Sequence, residues 1–216
     1  MSTINEMNSK STASPGRVTY RHGDLHRTLL EAGIDMARRG GPDAVVLREA
    51  TRQAGVVPNA AYRHFAGQQA LLDAVRAYAL SAAAAMMKAE VSGIGSELST
   101  ADAARASLRA VGRAYLRFAH AEPGLFRTAF AVPGNGGAAM AAGDTPHPFR
   151  LLGAALDRFV AAGILPAARR PGAEYLAWSA VHGLALLVTD GPLHAMTAAD
   201  RAAIEERLLD MVEKGL

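Results

Sequence analysis

Side chains able to hydrogen-bond with DNA lie on two neighbouring short segments of this chain. Arg48 belongs to the first segment, and Asn59 and Arg63 belong to the second. An arginine can make two parallel hydrogen bonds to the edge of a guanine, which distinguishes that base from the others. Tyr62 and His64 carry polar groups suited to phosphate contacts. These residues act on one DNA site only if the elements that carry them are held together.

The residues between the two segments indicate a helix-turn-helix. The run Leu47 to Ala54 is helical in pattern, and a glycine, two valines and a proline separate it from the next run, as in two helices joined by a short turn. Gly55 can adopt the left-handed conformation that ends a helix, and Pro58 suits the first position of the following one. Val56 is predicted to turn inward. The end and outer face of the second helix are then free to enter a major groove.

We predict two kinds of DNA contact, and we also expect Val57, at the start of the second helix, to belong to the DNA-binding surface. Base edges are expected to face Arg48, Pro58, Asn59, Ala60 and Arg63, whereas Thr51, Tyr62 and His64 are expected nearer to phosphates.

The polar start of the chain is predicted to be a disordered arm over residues 1–18, because it has almost no apolar content. Arg17 and Arg21 near its end either enter an adjacent minor groove, as basic arms do in other helix-turn-helix proteins, or belong to a solvated tail.

The motif residues resemble the TetR family of transcriptional repressors. The resemblance covers about residues 23–75 and is carried by Arg48-Glu49-Ala50-Thr51-Arg52-Gln53-Ala54-Gly55-Val56, Ala61-Tyr62-Arg63-His64-Phe65 and Ala70-Leu71-Leu72. It implies an all-helical, dimeric protein that binds double-stranded DNA and is released by a small-molecule effector. Later in the chain, Trp178-Ser179-Ala180-Val181-His182-Gly183 resembles the regulatory-domain subclass named for a Trp-His-Gly motif.

Three residues depart from the family pattern. Val57 stands where a Ser or Thr usually caps the recognition helix, a loss of about 1 kcal/mol. Thr51 replaces an alanine, and Gln68 replaces a lysine that commonly meets a phosphate. An alternative therefore stays open at this point, namely a helical small-molecule-binding or adaptor protein without DNA binding.

Helical spacing of apolar residues continues to the end of the chain and predicts an all-α fold. We divide it into the arm, a helix-turn-helix DNA-binding domain over residues 19–67, and a ligand-binding and dimerisation domain over residues 68–216. A helix from Gln68 to Glu90 joins the last two, and no other element obviously bridges them.

The second domain contains most of the aromatic residues, which predicts a largely apolar effector pocket. Trp178 and His182 lie one helical turn apart and can meet one ligand or one another, and Gly183 is expected to let another helix approach closely. The same pattern also fits an ordinary core. The predicted lining is Tyr115, Phe118, Phe126, Phe130, Trp178 and His182.

The last two long helices, Glu174 to Val188 and Ala198 to Val212, are predicted to form the homodimer interface. The family resemblance implies a four-helix bundle with the partner's pair, by ordinary helix packing. The predicted interface residues are Leu176, Leu184, Val188, Ile204, Leu208 and Met211.

Composition narrows the remaining possibilities. The formal net charge of +3 falls within residues 1–65, as DNA binding favours, and the absence of cysteine excludes disulfides and thiolate zinc sites.

The polar N-terminus lacks an apolar signal core, so we expect a cytoplasmic protein without membrane association. Ser179, His182 and Asp190 offer hydrolase residue types but no nucleophile elbow, so we expect neither enzyme activity nor a cofactor. His22 and His26 lack a third metal ligand.

Overall fold

The computed structural model describes residues 22–131 and 147–216, and every long element in these ranges is an α-helix. The helices are α1 (His22–Gly40), α2 (Leu47–Gln53), α3 (Pro58–Ala61), α4 (Gln68–Ser92), α5 (Thr100–Ala121), α6 (Pro123–Phe130), α7 (Pro148–Ala161), α8 (Ala173–Thr189) and α9 (Ala198–Gly215). Single 3-10 turns occur at Pro42–Ala44 and Ala167–Arg169. The predicted all-α fold is confirmed, and the four helices with predicted bounds, α2, α4, α8 and α9, begin and end within three residues of them.

The turn between α2 and α3 has the predicted local geometry. Gly55 ends α2 with a φ of 67°, a left-handed conformation that costs a glycine little. Pro58 occupies the first position of α3, and no side chain caps that helix at Val57. Val56 is half-buried against the core, as its inward orientation requires. The turn therefore fixes α3 against α2 and leaves the α3 end exposed.

A buried stripe with alanines at its centre lets α4 pack closely within the body of the protein. Val75, Ala79, Ala83 and Met87 recur along one face of α4 and are buried. Small side chains allow helix axes to approach closely, and α5, α6 and α1 all pack on this helix. Among the described helices, α4 alone is long and apolar enough to cross a membrane. The core helix of a helical bundle meets the same criteria, so this feature does not indicate a membrane span.

A second element, α6, also joins the two parts of the molecule. A Cβ atom placed on Gly124 would lie 2.2 Å from the carbonyl oxygen of Ala37 and 2.4 Å from that of Arg38. The Arg38 guanidinium Nε also donates to Glu122 Oε2 at 3.2 Å, just before α6 begins. The expectation that α4 is the one bridging element is therefore wrong, because sequence periodicity cannot show which backbones touch.

Side-chain caps fix the starts of two helices in the second domain. The Ser99 hydroxyl accepts a hydrogen bond from the Asp102 backbone N–H at 3.1 Å at the start of α5, and Thr197 does the same for Asp200 in α9. Each cap satisfies a backbone donor that the first turn of a helix leaves without a partner. The caps thus define where α5 and α9 begin.

Candidate DNA interface and effector pocket

Two exposed arginines on the helix-turn-helix have guanidinium groups available for DNA. Arg48 on α2 and Arg63 just after α3 are exposed, and neither forms an ion pair or hydrogen bond through its side chain within the described ranges. Arg52 differs, because its Nη2 and Nε donate to both carboxylate oxygens of Glu49 at 2.6 and 2.8 Å. Hydrogen bonds from Arg52 and then Gln53 lower the pKa of Glu49 to about 2. Among these three arginines, Arg48 and Arg63 are therefore the two whose side chains have no ion-pair or hydrogen-bond partner in the described part of the chain.

The exposed tip of α3 presents a mixture of apolar and polar groups beside these arginines. Val57 is 69% exposed and Tyr62 is 58% exposed, and Pro58 and Asn59 are also exposed. Ala60 is half-buried against the core, so only part of its methyl group can face a groove. Apolar side chains can contact thymine methyl groups, and the Asn59 amide can hydrogen-bond with a base edge. The tip has the size and chemistry of a short recognition helix.

Thr51 does not belong to this surface, contrary to the sequence-based prediction. Its side chain is 3% exposed, and its hydroxyl donates to the Arg48 carbonyl oxygen at 2.6 Å. A threonine in a helix often satisfies its hydroxyl in this way, and the methyl group then fills the α2 core contact. Thr51 is therefore structural and does not reach a phosphate.

The ring of His26 on α1 stacks on Phe65, with ring centroids 4.7 Å apart. His64 lies edge-on to His26 at 6.2 Å and is half-buried. These contacts hold the segment after α3 against α1 and place two imidazoles at the margin of the proposed DNA surface. Arg17 and Arg21 lie outside the described residues.

A hydrogen-bonded trio occupies the centre of the second domain. Trp178 Nε1 donates to the Tyr115 hydroxyl oxygen at 3.1 Å, and the same hydroxyl lies 2.8 Å from His182 Nδ1. The indole N–H is a donor only, so the Tyr115 oxygen accepts from Trp178, and the imidazole tautomer sets the direction of the Tyr115–His182 hydrogen bond. Burial lowers the pKa of His182 and raises the pKa of Tyr115, so both groups are neutral at pH 7.

This trio lies within an aromatic cluster, and the predicted meeting of Trp178 and His182 is confirmed by a centroid distance of 5.1 Å. Phe130 lies 5.1 Å from the His182 ring, and Phe126 lies 5.6 Å from the Tyr115 ring. Phe126 is fully buried, and Phe118 is 1% exposed. The cluster is thus a packed part of the core, with edge-on and tilted contacts typical of aromatic groups.

A small apolar cavity of about 40 Å³ lies beside the cluster and is lined by residues from five helices. Tyr115 and Trp178 are the two predicted pocket residues in its wall, whereas Phe118, Phe126, Phe130 and His182 pack away from it. The ligand-binding role of those four residues stays a prediction, and in this structure dense aromatic packing leaves no space among them. The lining is Met87, Leu108, Arg109, Val111, Gly112, Tyr115, Pro148, Phe149, Leu152, Ala177, Trp178, Val181, Leu209 and Val212.

Arg109 is the one charged residue in this lining, and carboxylates of α9 already surround its guanidinium group. Nη2 donates to Glu206 at 2.6 Å, while Nη1 contacts Asp210 closely and Glu213 at 3.3 Å. These hydrogen bonds, with that to Asp210 the strongest, raise the pKa of Arg109. Hydrogen bonds from Arg113 and then Arg109 lower the pKa of Glu206 to about 2. The result is an ion-pair clamp between α5 and α9 along the cavity.

The outer sides of α8 and α9 have large apolar side chains that no other described part of the protomer covers. Leu176 is 69% exposed and Met211 is 57% exposed, and Ile204 and the half-buried Leu208 share the α9 stripe. The remaining members of this apolar face are Tyr175, Leu186 and Leu187.

Leu184 and Val188 are not part of the apolar face, so their predicted interface role is corrected. They are 8% and 7% exposed within a single chain, where they pack in the protomer core with Ala177, Val181 and Ala185. Because α8 is apolar on nearly all sides, its sequence does not show which stripe faces the chain's own core.

Family models match both parts of the chain. Residues 29–75 match the model described as bacterial regulatory proteins of the tetR family, and residues 108–212 match the tetracyclin repressor-like C-terminal domain. The chain belongs to the TetR family of transcriptional regulators. Its helix-turn-helix is thus the DNA-binding part of this TetR family protein. The finer resemblance of residues 178–183 to the Trp-His-Gly subclass stays a prediction.

Solved structures have the same fold as this TetR family chain. A protein of unknown function from Rhodococcus sp. RHA1 is 27% identical, with a TM-score of 0.73 over 93% of this chain and 99% of its own. The TetR family transcriptional regulator PfmR from Thermus thermophilus is 18% identical, with a TM-score of 0.54 over 87% and 98% of the two chains. No curated protein gives a significant match.

Proposed function

We propose that this TetR family protein is a repressor that binds a palindromic operator as a homodimer and is released by a small, largely apolar effector. The observation that carries the proposal is the pair of exposed guanidinium groups of Arg48 and Arg63 beside the α3 tip, which no described residue pairs. Because these two guanidinium groups have no described protein partner, no ion pair with a described residue has to be broken before they bind phosphates or guanine edges. Residues 19–67 then read DNA, and residues 68–216 bind the effector and the second subunit.

The apolar face of α8 and α9 supports the homodimer. Leucine, methionine and tyrosine side chains are exposed on two helices that pack against each other, and large exposed apolar surfaces mark protein interfaces. Gly183 lies on the same side of α8 as Leu176 and Leu187, and no atom of another described helix lies within 4 Å of where its Cβ would stand. The close approach predicted for Gly183 is therefore proposed to involve the partner's helix rather than a helix of the same protomer.

Communication between the effector site and DNA is proposed to use both α4 and α6. Met87 at one end of α4 lines the cavity, whereas Leu71 and Val75 near its start pack against Gly33 of α1. The α6 backbone touches the last turn of α1 at Gly124, and Arg127 on α6 donates to Asp190 after α8 at 3.1 Å. An effector changes DNA affinity only by its differential affinity for the two dimer shapes, commonly about 1–3 kcal/mol.

A repressor that works on chromosomal DNA acts in the cytoplasm, so cytoplasmic location belongs to the same proposal. The family's relatives are transcriptional regulators and not enzymes, which supports a function without catalysis.

Binding to DNA from upstream of the protein's own gene tests the proposal. We expect a discrete gel shift, two protomers per duplex by analytical ultracentrifugation, and protection of half-sites about 34–36 Å apart or a multiple of that spacing. A protein that is dimeric but gives only salt-sensitive, sequence-independent binding would favour the alternative of a ligand-binding protein without an operator. Glutamate substitutions at Leu176 and Met211 are expected to yield monomers that no longer bind the operator.

A further inference from the structure

Leu209 of α9 occupies a notch in α5 at the edge of the cavity. A Cβ atom placed on Gly112 would lie 2.4 Å from Leu209 Cδ2, although 3.8 Å from its Cγ. The missing side chain at position 112 therefore leaves room for one terminal methyl group of Leu209. Both residues line the cavity, and Leu209 is 4% exposed. The leucine side chain thus fills space that would otherwise extend the cavity toward α9.

The backbone of α9 is held in place at this point by ion pairs on both sides of Leu209. Glu206 pairs with Arg109 and Arg113, and Glu213 pairs with Arg105 at 3.0 Å. Asp210 adds a further contact to Arg109. Space for a bound molecule is therefore obtained most easily from the Leu209 side chain, whose rotation leaves these pairs intact.

The ion pairs also restrict the charge of a molecule that binds in the cavity. Three arginines of α5 face three carboxylates of α9, so Arg109 has no unbalanced positive charge to offer. The other lining residues are apolar, apart from the Tyr115 hydroxyl and the Trp178 N–H, which bond to one another. A buried charge without a partner is costly. The cavity therefore suits an uncharged molecule.

The geometry points to Leu209 and Gly112 as the residues that set the size of the effector, which is an uncharged apolar molecule that binds by displacing the Leu209 side chain. The inference rests on the proposed effector-binding function, because it identifies the ligand class of that same site. An apolar cavity of about 150 Å³ holds benzene. The present cavity of about 40 Å³ is smaller, so a ring-sized ligand needs the space that Leu209 occupies.

Quenching of Trp178 fluorescence by iodobenzene tests the inference without DNA, since the heavy iodine atom quenches an indole on contact. Trp178 is the single tryptophan and lines the cavity, so saturable quenching reports binding there. We expect Leu209→Ala to bind iodobenzene at least about tenfold more tightly than the wild-type protein. Gly112→Ala is expected to bind it at least about tenfold more weakly, because the new Cβ pushes Leu209 into the cavity. The negatively charged 4-iodobenzoate should not quench measurably.

Controls separate this mechanism from general loosening of the core. Leu116→Ala removes a fully buried side chain of α5 outside the cavity lining and should leave iodobenzene affinity unchanged. Leu209→Val is a milder substitution that should act in the same direction as Leu209→Ala if the latter does not fold. Equal affinity in the wild type, Leu209→Ala and Gly112→Ala, or absence of saturable quenching in all of them, would overturn the size assignment. Tight binding of 4-iodobenzoate would overturn the ligand class.

Operator binding by the ligand-free protein distinguishes failure of this inference from failure of the proposed function. If quenching follows the expected order but no operator is bound, the cavity assignment holds and the repressor function fails. If an operator is bound but the two cavity substitutions have no effect on quenching, DNA binding stands and the assignment of the cavity fails.

Discussion

Substitution of Gly124 by alanine should separate α6 from α1, because the two helices meet there backbone to backbone. The added Cβ would lie 2.2 and 2.4 Å from two carbonyl oxygens of the last α1 turn. A carbon atom normally stays about 3.5 Å or more from such neighbours, so the helices must move apart by about 1 Å. No side-chain rotation can relieve the clash, since both oxygens belong to the backbone. Overpacking of this kind costs about 1–3 kcal/mol.

Thermal unfolding measured by circular dichroism checks this expectation. For a chain of this length each kcal/mol corresponds to about 2–4 °C, so Gly124→Ala should lower Tm by about 2–12 °C. Gly153→Ala is the matched control, because its nearest neighbour would be Arg170 Nη2 at an ordinary 3.6 Å. That variant should gain about 0.5–1 kcal/mol from helix propensity. A Gly124→Ala protein as stable as Gly153→Ala would refute the close contact between α6 and α1.

Three further outcomes follow from the second domain. Tyr115→Phe removes the hydrogen-bond acceptor of the Trp178 N–H, so the free energy of unfolding in urea should fall by about 1–3 kcal/mol. The tryptophan emission should also shift. Unchanged stability and emission would contradict the hydrogen-bonded trio. The pKa of Glu206 is lowered from 4.5 to about 2, so the stability that it contributes is present above about pH 4.5 and is lost as pH falls toward 2. Glu206→Gln should therefore weaken the dependence of Tm on pH in that window, and an unaltered pH profile would argue against the α5–α9 clamp. Leu176→Glu should shift the sedimentation coefficient to that of a monomer with little loss of protomer stability, whereas unfolding of the protomer would show that this side chain is not on a free surface.

The fold was predictable where short-range sequence determines structure. Gly55 and Pro58 mark the turn between α2 and α3, because glycine readily adopts a positive φ and proline has a fixed φ that suits the start of a helix. The capping residues Ser99 and Thr197 also act locally, because each hydroxyl accepts a hydrogen bond from a backbone N–H three residues later. Exposure of Arg48 and Arg63 also follows from local pattern, since polar residues on a short amphipathic helix face solvent.

The cavity of the second domain and the apolar face were less predictable because they depend on which helices meet. Aromatic side chains of the second domain suggested a pocket, but Phe118 and Phe126 fill the core, and the open space lies toward α9. The Leu209 side chain packs against Gly112, almost one hundred positions away in the chain, and no local sequence pattern predicts such a contact. On α8, Leu184 and Leu187 are chemically identical, yet one is buried and the other exposed. Only the packing of the whole bundle distinguishes them.

The central claim is that Arg48 and Arg63, which have no ion-pair partner among the described residues, contact DNA. Operator binding by Arg48→Ala, compared with Arg52→Ala, tests this claim. Fluorescence anisotropy should be measured on the operator and on duplexes with each base pair of one half-site changed in turn. We predict that Arg48→Ala costs about 1–3 kcal/mol and loses preference at one base pair. Arg52→Ala should have a smaller effect, because its guanidinium group is already paired with Glu49. Equal losses for the two variants, or no loss for Arg48→Ala, would contradict the assignment of this surface as the DNA-reading element.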